Sequence, residues 1–399
     1  MEGGTDEVTL ELTGSAHGGE AVGRVGDLVT FVSLGLADEE VRIEVIERKA
    51  RFQRGRVREV VRESPERVTA PCPLFGTCGG CHWQHASYAE QLRIKTSVLR
   101  EQLERLARVG QPKVLEAIAS PLEWQYRNRV QVVPVAGTRL VGFRRGQSHE
   151  VVPVERCYIS DERINEIIAR APWSGMDERE WRGVEEIDIR VAPEQEPLVN
   201  VIGTGRSSGA AQGGRELRYQ LGGYTFRVPG NAFFQVNVGA AERLVEKAMA
   251  WLAPEKGDHV VDAYGGVGTF AIAAATGAER VTVMELPGSA VDAVAGNAAA
   301  NGVENVRSID APVERALRTL RERVDLLVLD PPRRGCGPEV VREIVRLSPR
   351  RVVYVSCDPG TLARDVKALA EGGYGLIKTR VVDMFPQTYH LESISLLER

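Results

Sequence analysis

The stretch VYVSCDPGTLARD, residues 353–365, places Cys357 at the end of an apolar run and directly before a segment with a helical pattern. A thiolate is a strong nucleophile, and the N-terminus of a helix, expected here near Thr361, favours the charged form of the thiol. Most lone cysteines are instead inert thiols in a protein core. The local sequence leaves both interpretations of Cys357 open.

A second strand end carries an acidic residue. In LLVLDPPRRGC, residues 326–336, Asp330 follows a buried strand and precedes a rigid Pro-Pro corner. Because neighbouring parallel strands end at the same edge of a sheet, we expect Asp330 and Cys357 to enter one crevice. Such corners in methyltransferases hold a planar base beside the methyl donor, and the alternative is a plain turn that ends a strand. We interpret Cys336 as structural.

A glycine-rich turn opens the same half of the chain. VVDAYGGVGTFAIAAA, residues 260–275, has the pattern of a strand, a turn and a helix, and Gly266 and Gly268 would let the backbone approach a ligand. Glu285 ends the next strand, where a carboxylate can accept hydrogen bonds from ribose hydroxyls. The pattern is not GxGxxG, which favours an adenosine-type ligand without a pyrophosphate, commonly S-adenosylmethionine. A tight turn without a ligand is the alternative.

Four further cysteines form a candidate metal site. Cys72, Cys78 and Cys81 have the spacing C-x5-C-x2-C, and Cys157 lies far downstream. Four thiolates suit an iron–sulfur cluster or a structural zinc ion, and free thiols are the third possibility. The neighbouring His82 and His85 are interpreted as packing or surface residues and are not assigned as ligands.

The composition is that of an ordinary water-soluble protein. The 399 residues are 43% hydrophobic and 27% charged, with a net charge of −4. We find no apolar run long enough to span a membrane and no signal peptide, so we expect a cytoplasmic protein without a disulfide framework. Residues 48–67 carry eight Lys or Arg against three Glu, a local charge of +5. This segment fits either a solvated strand face or a surface for a phosphate backbone.

The order of elements predicts three domains. Short strands with glycine-rich turns indicate a small barrel over residues 1–62. A β-rich central domain with the cysteine loop and one long helix, YAEQLRIKTSVLREQLERLARVG, covers residues 63–225. From residue 226 to 399, Val- and Leu-rich strands alternate with helices, which predicts an α/β domain with a parallel sheet. The last two strands, LIKTRVVDMF and HLESISLLER, are expected to pair as an antiparallel edge.

Taken together, SCDPGTLARD, DPPRRG and the C-terminal HLESIS resemble the RNA uracil-5-methyltransferases, and the resemblance extends over essentially the whole chain. It implies a Rossmann-like S-adenosylmethionine-dependent methyltransferase domain at the C-terminus. Residues 1–62 look like a TRAM domain, an OB-like barrel that binds RNA. Cys72, Cys78, Cys81 and Cys157 resemble the cluster ligands of the ribosomal-RNA branch, which implies a [4Fe–4S] cluster.

The resemblance also implies a mechanism. Cys357 would attack C6 of uracil, C5 would take the methyl group of S-adenosylmethionine, and Glu392 would remove the C5 proton. Without the motif, Glu392 would be interpreted as a surface residue. The cofactor contacts implied by the resemblance, together with the glycine turn, are Gln235, Tyr264, Gly266, Glu285 and Asp330.

The expected partner is RNA, with 23S ribosomal RNA as the first candidate. We expect the enzyme itself to be a monomer. Phe233 or Phe234 could stack on a nucleotide, although two core aromatics are an equally good interpretation. Four arginines could contact RNA phosphates or be solvated: Arg127, Arg129, Arg144 and Arg145. The alternatives are a methyltransferase for tRNA uracil or for RNA cytosine, and a non-catalytic RNA-binding or ribosome-assembly factor.

Overall fold

The computed structural model of the chain describes residues 7–146, 148–203, 206–207 and 215–399. The N-terminal strands are β1 (Glu7–Ser15), β2 (Ala21–Val25), β3 (Leu28–Ser33), β4 (Glu40–Arg48) and β5 (Phe52–Arg62). They close into a barrel in the order β1-β2-β3-β5-β4. Alternate side chains fill its interior, among them Leu12, Val32 and Ile43. The predicted barrel is confirmed, and residues 1–6 of its predicted range lie outside the described residues.

The basic segment at residues 48–67 lies on β4 and β5 and meets acidic side chains of the same barrel. The Arg62 guanidinium lies 2.7 Å from the Glu11 carboxylate, and Arg54 pairs with Glu20. Part of the local positive charge is therefore neutralised within the barrel.

The one long helix of the first half, α1 (Tyr88–Arg105), begins at a serine cap. Ser87 Oγ accepts a hydrogen bond from Glu90 N at 3.1 Å, which satisfies one of the free N–H groups of the first turn. The apolar side chains Ile94, Val98 and Leu103 belong to the same core cluster as the C-terminal sheet. The helix was predicted within the central domain, and it packs on the C-terminal sheet.

The central region is built on an antiparallel sheet. Its strands are β6 (Arg129–Pro134), β7 (Val141–Arg144), β8 (Val151–Pro153), β9 (Val184–Arg190), β10 (Leu198–Gly203) and β11 (Arg206–Ser207). They form a six-stranded sheet in the order β11-β10-β9-β6-β7-β8. Two helices, α2 (Glu162–Arg170) and α3 (Glu178–Arg182), and a 3₁₀ turn (Pro172–Gly175) accompany it. Val132, Ile164 and Ile187 lie in its core.

A hairpin joins this region to the C-terminal half. Its strands are β12 (Glu216–Leu221) and β13 (Tyr224–Pro229), and Leu217 and Phe226 pack into the core of the C-terminal sheet. The predicted domain boundary between residues 225 and 226 falls inside β13.

The C-terminal half is a seven-stranded sheet between helices. Its strands are β14 (His259–Ala263), β15 (Arg280–Glu285), β16 (Val306–Asp310), β17 (Leu326–Leu329), β18 (Arg351–Ser356), β19 (Gly375–Val382) and β20 (Glu392–Glu398). Its helices are α4 (Val238–Leu252), α5 (Thr269–Ala275), α6 (Ser289–Ala300), α7 (Val313–Thr319), α8 (Gly337–Leu347) and α9 (Pro359–Glu371).

The strand order of this sheet is β16-β15-β14-β17-β18-β20-β19, in which β14 to β18 are parallel and β20 is antiparallel to both of its neighbours. One core cluster lies on each face, which explains the unbroken apolar strands. The predicted α/β fold is confirmed, as is the antiparallel pairing of the last two strands. In the part of the chain that the structure describes, no helix is both long and apolar enough to cross a membrane.

Candidate active site

A cavity of about 810 Å³ opens at the carboxyl ends of the parallel strands. This is the edge at which α/β sheets bind their ligands. All seven residues predicted for catalysis and cofactor binding line it: Gln235, Tyr264, Gly266, Glu285, Asp330, Cys357 and Glu392. They come from six separate segments of the chain, which the fold brings together at one edge of the sheet.

The turn after β14 is shaped for close approach of a ligand. Tyr264 has a φ of 66°, an uncommon conformation for a residue with a side chain, and Gly266 has a φ of 55° with open space where a Cβ would stand. Gly266 N donates to Glu285 Oε2 at 3.0 Å, and Leu286 N donates to Glu285 Oε1 at 2.7 Å. These bonds fix the Glu285 carboxylate at the cavity wall, where its remaining lone pairs can accept hydrogen bonds from ribose hydroxyls.

A buried carboxyl supports this turn from below. Asp262 Oδ2 accepts from Ala271 N at 2.9 Å, which ties the end of β14 to the start of α5. Burial, followed by the nearby Asp330 and Glu285, raises the pKa of Asp262 to about 8.

Cys357 and Glu392 lie side by side on adjacent strands. Cys357 directly follows β18 and Glu392 begins β20, and in that antiparallel pair Ser356 is opposite Ser393. Burial is the main cause that raises the pKa of Cys357 to about 12, and the Glu392 and Asp330 carboxylates add to it.

In the protein without ligands, burial therefore opposes the effect of the helix N-terminus, which would favour the charged form of Cys357. Asp358 is the N-cap of α9, and its Oδ1 accepts from Thr361 N at 2.8 Å. The helix end already faces a carboxylate, and burial disfavours a second negative charge beside it.

One oxygen of the buried Glu392 carboxyl group, Oε1, has no hydrogen-bond partner among the described residues. A buried polar atom of this kind is uncommon away from functional sites. The pKa of Glu392 lies well above the usual range, because the carboxyl group is buried and because Asp330 is near. The Arg333 guanidinium opposes the pKa shifts of both Glu392 and Cys357.

The two neighbouring phenylalanines have different environments. Phe234 is 7% exposed and stacks on Tyr219, with ring centroids 4.6 Å apart. Phe233 is 63% exposed and lines the cavity. Of the two candidates for stacking on a nucleotide, the structure therefore leaves Phe233 available and places Phe234 in the core.

The predicted arginines also differ. Arg129 Nε lies 2.6 Å from Asp188 Oδ1, and Arg145 Nε lies 2.8 Å from Glu150 Oε2. Arg144 is exposed on β7, and Arg127 lines the cavity. Arg127 is the one of these four that combines a place at the cavity with no carboxylate within ion-pair distance among the described residues.

A second cavity, of about 260 Å³, adjoins the first and is lined by Cys72, Cys78, Cys81 and Cys157. Asn165 on α2 holds Cys157 in place, because its Oδ1 accepts from Cys157 N at 2.8 Å. Burial raises the pKa of Cys81 to about 12, and the other thiols contribute. Within the described residues, no group of three or more His, Cys, Asp or Glu side chains is placed to hold a metal ion. The four thiols share this cavity.

Sequence reasoning missed several residues of the active-site cavity, among them Arg333 and His390. Arg333 belongs to the DPPRRG motif, and its position directly after Pro332 could have identified it. His390 stands two residues before Glu392 and lines both cavities. Burial lowers the pKa of His390 to about 4, so its ring is neutral at physiological pH.

Cys336, predicted to be structural, does not line the cavity. Its Sγ donates to the Tyr354 hydroxyl at 3.4 Å, beneath the corner that carries Asp330.

Comparison with known proteins gives consistent matches. Residues 214–399 match the family model described as tRNA (uracil-5-)-methyltransferase. An RNA methyltransferase of Gloeobacter violaceus is 34% identical over 443 aligned residues, which cover 98% of this chain and 96% of that protein. One of Streptomyces avermitilis is 36% identical over 435 residues, with 98% of each chain covered.

Among solved structures, the Pyrococcus abyssi tRNA (uracil-54, C5)-methyltransferase in complex with S-adenosyl-L-homocysteine has a TM-score of 0.75 at 24% identity, covering 98% of this chain and 100% of that one. The parallel sheet, with its cavity at the carboxyl ends, defines the Rossmann-like methyltransferase class of fold. With its full-length relatives above 30% identity, the chain belongs to the RNA (uracil-5-)-methyltransferase family, and it is an RNA methyltransferase.

Proposed function

We propose that this enzyme methylates C5 of a uridine in RNA, with S-adenosylmethionine as the methyl donor and Cys357 as a covalent nucleophile. The observation that carries the proposal is the pairing of Cys357 with Glu392 in one cavity, opposite the turn fixed by Glu285. A thiol beside a carboxylate with a free acceptor atom is the pair that addition followed by elimination requires.

Each group has a defined task in the reaction. The Cys357 thiolate adds to C6 of uracil, which makes C5 of the resulting enolate nucleophilic. C5 then takes the methyl group of the donor, which leaves as S-adenosylhomocysteine. Glu392 accepts the C5 proton, the C6–Sγ bond breaks, and the thiolate is restored. The Arg333 guanidinium would offset the negative charge on Cys357 and on the enolate.

The raised pKa of Cys357 is compatible with this reaction. The sulfonium of the methyl donor is positively charged, and a positive charge within a few ångströms favours the thiolate. Asp330 and Glu285 line the same cavity, and burial together with Glu285 raises the pKa of Asp330 to about 7, so a cationic ligand would relieve the repulsion between these carboxyl groups.

We propose 23S ribosomal RNA as the substrate, with the target uridine drawn out of its stack into the cavity. Phe233, exposed at the cavity wall, would stack on a nucleotide, and Arg127 would contact a phosphate. The second candidate substrate is tRNA, which the description of the matching family model favours. We assign RNA binding to the barrel at residues 1–62, support to residues 63–225 and catalysis to residues 226–399, in a cytoplasmic monomer.

We further propose that Cys72, Cys78, Cys81 and Cys157 hold a [4Fe–4S] cluster. Four thiols lining one cavity support this assignment. A zinc ion bonds four thiolates at about 2.3 Å each and so would hold the sulfur atoms roughly 3.8 Å apart. The thiols line a cavity of about 260 Å³, and a cavity of this size favours the larger group. A bound cluster would be ligated by thiolates, and its positive iron ions would stabilise the charged form that burial alone disfavours.

The test of the reaction is tritium release. The enzyme and S-adenosylmethionine are incubated with ribosomal RNA or tRNA transcripts labelled at uridine C5. Release from ribosomal RNA supports the proposal, and release only from tRNA keeps the chemistry and changes the substrate. Cys357→Ala should abolish release. Glu392→Gln should trap a covalent protein–RNA adduct, and an adduct-free Glu392→Gln protein would contradict the covalent mechanism.

The cluster is tested by iron and sulfide analysis of protein purified without air. Cys81→Ser should lose the iron, whereas Cys336→Ser, which changes a thiol outside this cavity, should keep it. Protein with zinc in place of iron, or with neither metal, would overturn the assignment.

A further inference from the structure

The segment that delivers Glu392 to the active site is residues 383–391, between β19 and β20. It also places Phe385 and His390 in the cavity wall. It has no regular secondary structure of its own. The position of the Glu392 carboxylate therefore depends in part on whatever holds this segment, and five of its hydrogen bonds come from helix α1.

The first contact is a buried ion pair. Lys95 Nζ on α1 lies 2.6 Å from Asp383 Oδ1 and also donates to the Phe385 carbonyl at 2.9 Å. The Tyr88 hydroxyl donates to Asp383 Oδ2 at 2.9 Å. The Lys95 and Asp383 side chains are both fully buried. Replacing a buried ion pair by apolar residues is often neutral or stabilising, so a contribution to stability does not explain the presence of Lys95 and Asp383.

The second contact fixes the middle of the segment. Gln91 Oε1 accepts from Gln387 N at 2.8 Å, and Gln91 Nε2 donates to Gln387 Oε1 at 3.0 Å. Gln387 has a φ of 69°, a conformation that an L-residue keeps only where its surroundings impose it. The Gln387 carbonyl in turn accepts from His82 N at 2.8 Å and Trp83 N at 3.0 Å.

Tyr88, Gln91 and Lys95 have the spacing i, i+3, i+7, which puts them on one face of α1. None of the three is among the described residues that line the active-site cavity. They therefore act on the reaction only through the segment they hold.

We infer that Tyr88, Gln91 and Lys95 are positioning residues that place the Glu392 carboxylate at the C5 proton by fixing residues 383–391. The inference rests on the proposed function. In the step concerned, the C5 proton passes to Glu392 while the C6–Sγ bond to Cys357 breaks. Loss of this support should slow proton removal more than methyl transfer, so the methylated protein–RNA adduct should accumulate.

The experiment measures turnover and trapped adduct in the same reaction. Full-length enzyme, S-adenosylmethionine and RNA are mixed, quenched in denaturant and separated by electrophoresis. The variants are Tyr88→Phe, which removes one hydroxyl, and the double variant Lys95→Met with Asp383→Asn, which removes both buried charges together. Tyr88→Phe removes the bond to Asp383 and the one accepted from Ser120 N, and should lower kcat at least about fivefold, with the double variant lower still. KM for RNA should change less than about twofold, and the adduct fraction should rise in both.

The control is Tyr374→Phe, which removes another buried hydroxyl, whose bond to the Pro349 carbonyl is 2.9 Å long and remote from the cavity. It should trap no adduct. If Glu392→Gln traps adduct but the α1 variants lose turnover without trapping, or keep full turnover, the positioning inference is wrong and the proposed function stands. If Glu392→Gln itself traps none, the covalent mechanism fails first.

Discussion

Binding of S-adenosylmethionine should make the Cys357 thiol reactive at neutral pH. In the protein alone its pKa is about 12, raised from an ordinary value of 9.0 by burial and by the Glu392 and Asp330 carboxylates. Because a raised pKa leaves less thiolate at any lower pH, roughly one molecule in 10,000 is ionised at pH 8. Alkylation, which requires the thiolate, should then be slower than for an ordinary cysteine by about a thousandfold.

The methyl donor adds one positive charge to the cavity. An opposite charge within about 4–6 Å lowers the pKa of an acid by about 1–3 units, so the donor should accelerate alkylation of Cys357 by about ten- to a thousandfold. S-adenosylhomocysteine has nearly the same shape and a neutral sulfur. It is the matched control for the shielding that any bound ligand causes, and it should not accelerate the reaction.

The assay is iodoacetamide labelling at several pH values, with the peptide containing Cys357 quantified by mass spectrometry. Cys336 is an internal reference, because its pKa is also raised to about 12 by burial and it does not line the cavity. Rapid labelling of Cys357 at pH 8 without ligand would refute the raised pKa. Equal acceleration by the donor and by S-adenosylhomocysteine would refute the role of the sulfonium charge.

Three further predictions test the site and its support. Glu285→Gln replaces one of the two oxygens that accept from Gly266 N and Leu286 N, so calorimetry should find the Kd for S-adenosylmethionine raised about tenfold with KM for RNA unchanged. Phe233→Ala should lower kcat/KM for RNA by about five- to a hundredfold without changing Tm, because stacking contributes about 1–3 kcal/mol; a lowered Tm would mean that the ring is structural. Asp262 retains its proton in the folded protein up to a pH of about 8 and loses it near pH 4 when unfolded, so its contribution to stability is complete below pH 4 and disappears as the pH rises to 8. Asp262→Asn should therefore reduce the fall in Tm of the ligand-free protein between pH 5 and pH 8, and an unchanged pH dependence would contradict this.

The residues of the cavity could be predicted because each lies where local sequence is informative. Glu285, Asp330 and Cys357 each end or follow an apolar strand, and parallel strands end at the same edge of a sheet. The edge that the cavity occupies thus follows from the strand pattern. The protonation state of Cys357 does not follow from the strand pattern, because it depends on the burial of the thiol and on two carboxyl groups from other strands.

The choice between Phe233 and Phe234 shows the same limit. Nothing in NAFFQVN distinguishes the two rings. The difference arises because Tyr219 and Phe226, on the hairpin, cover Phe234 and leave Phe233 exposed. The hairpin also moves the domain boundary, since its apolar side chains pack under the C-terminal sheet.

The polar residues of α1 mark the point at which a single sequence misleads. In YAEQLRIK, Gln91 and Lys95 have the pattern of a solvated helix face, and no carboxylate stands three or four residues from Lys95. Asp383 lies 288 residues further along the chain. A buried lysine can be inferred only once that partner is placed beside it, because burial of an unpaired charge is strongly unfavourable. The strand pattern identifies the edge of the sheet at which the cavity lies, whereas the helix proposed to fix Glu392 belongs to a part of the chain that contributes no residue to the proposed reaction.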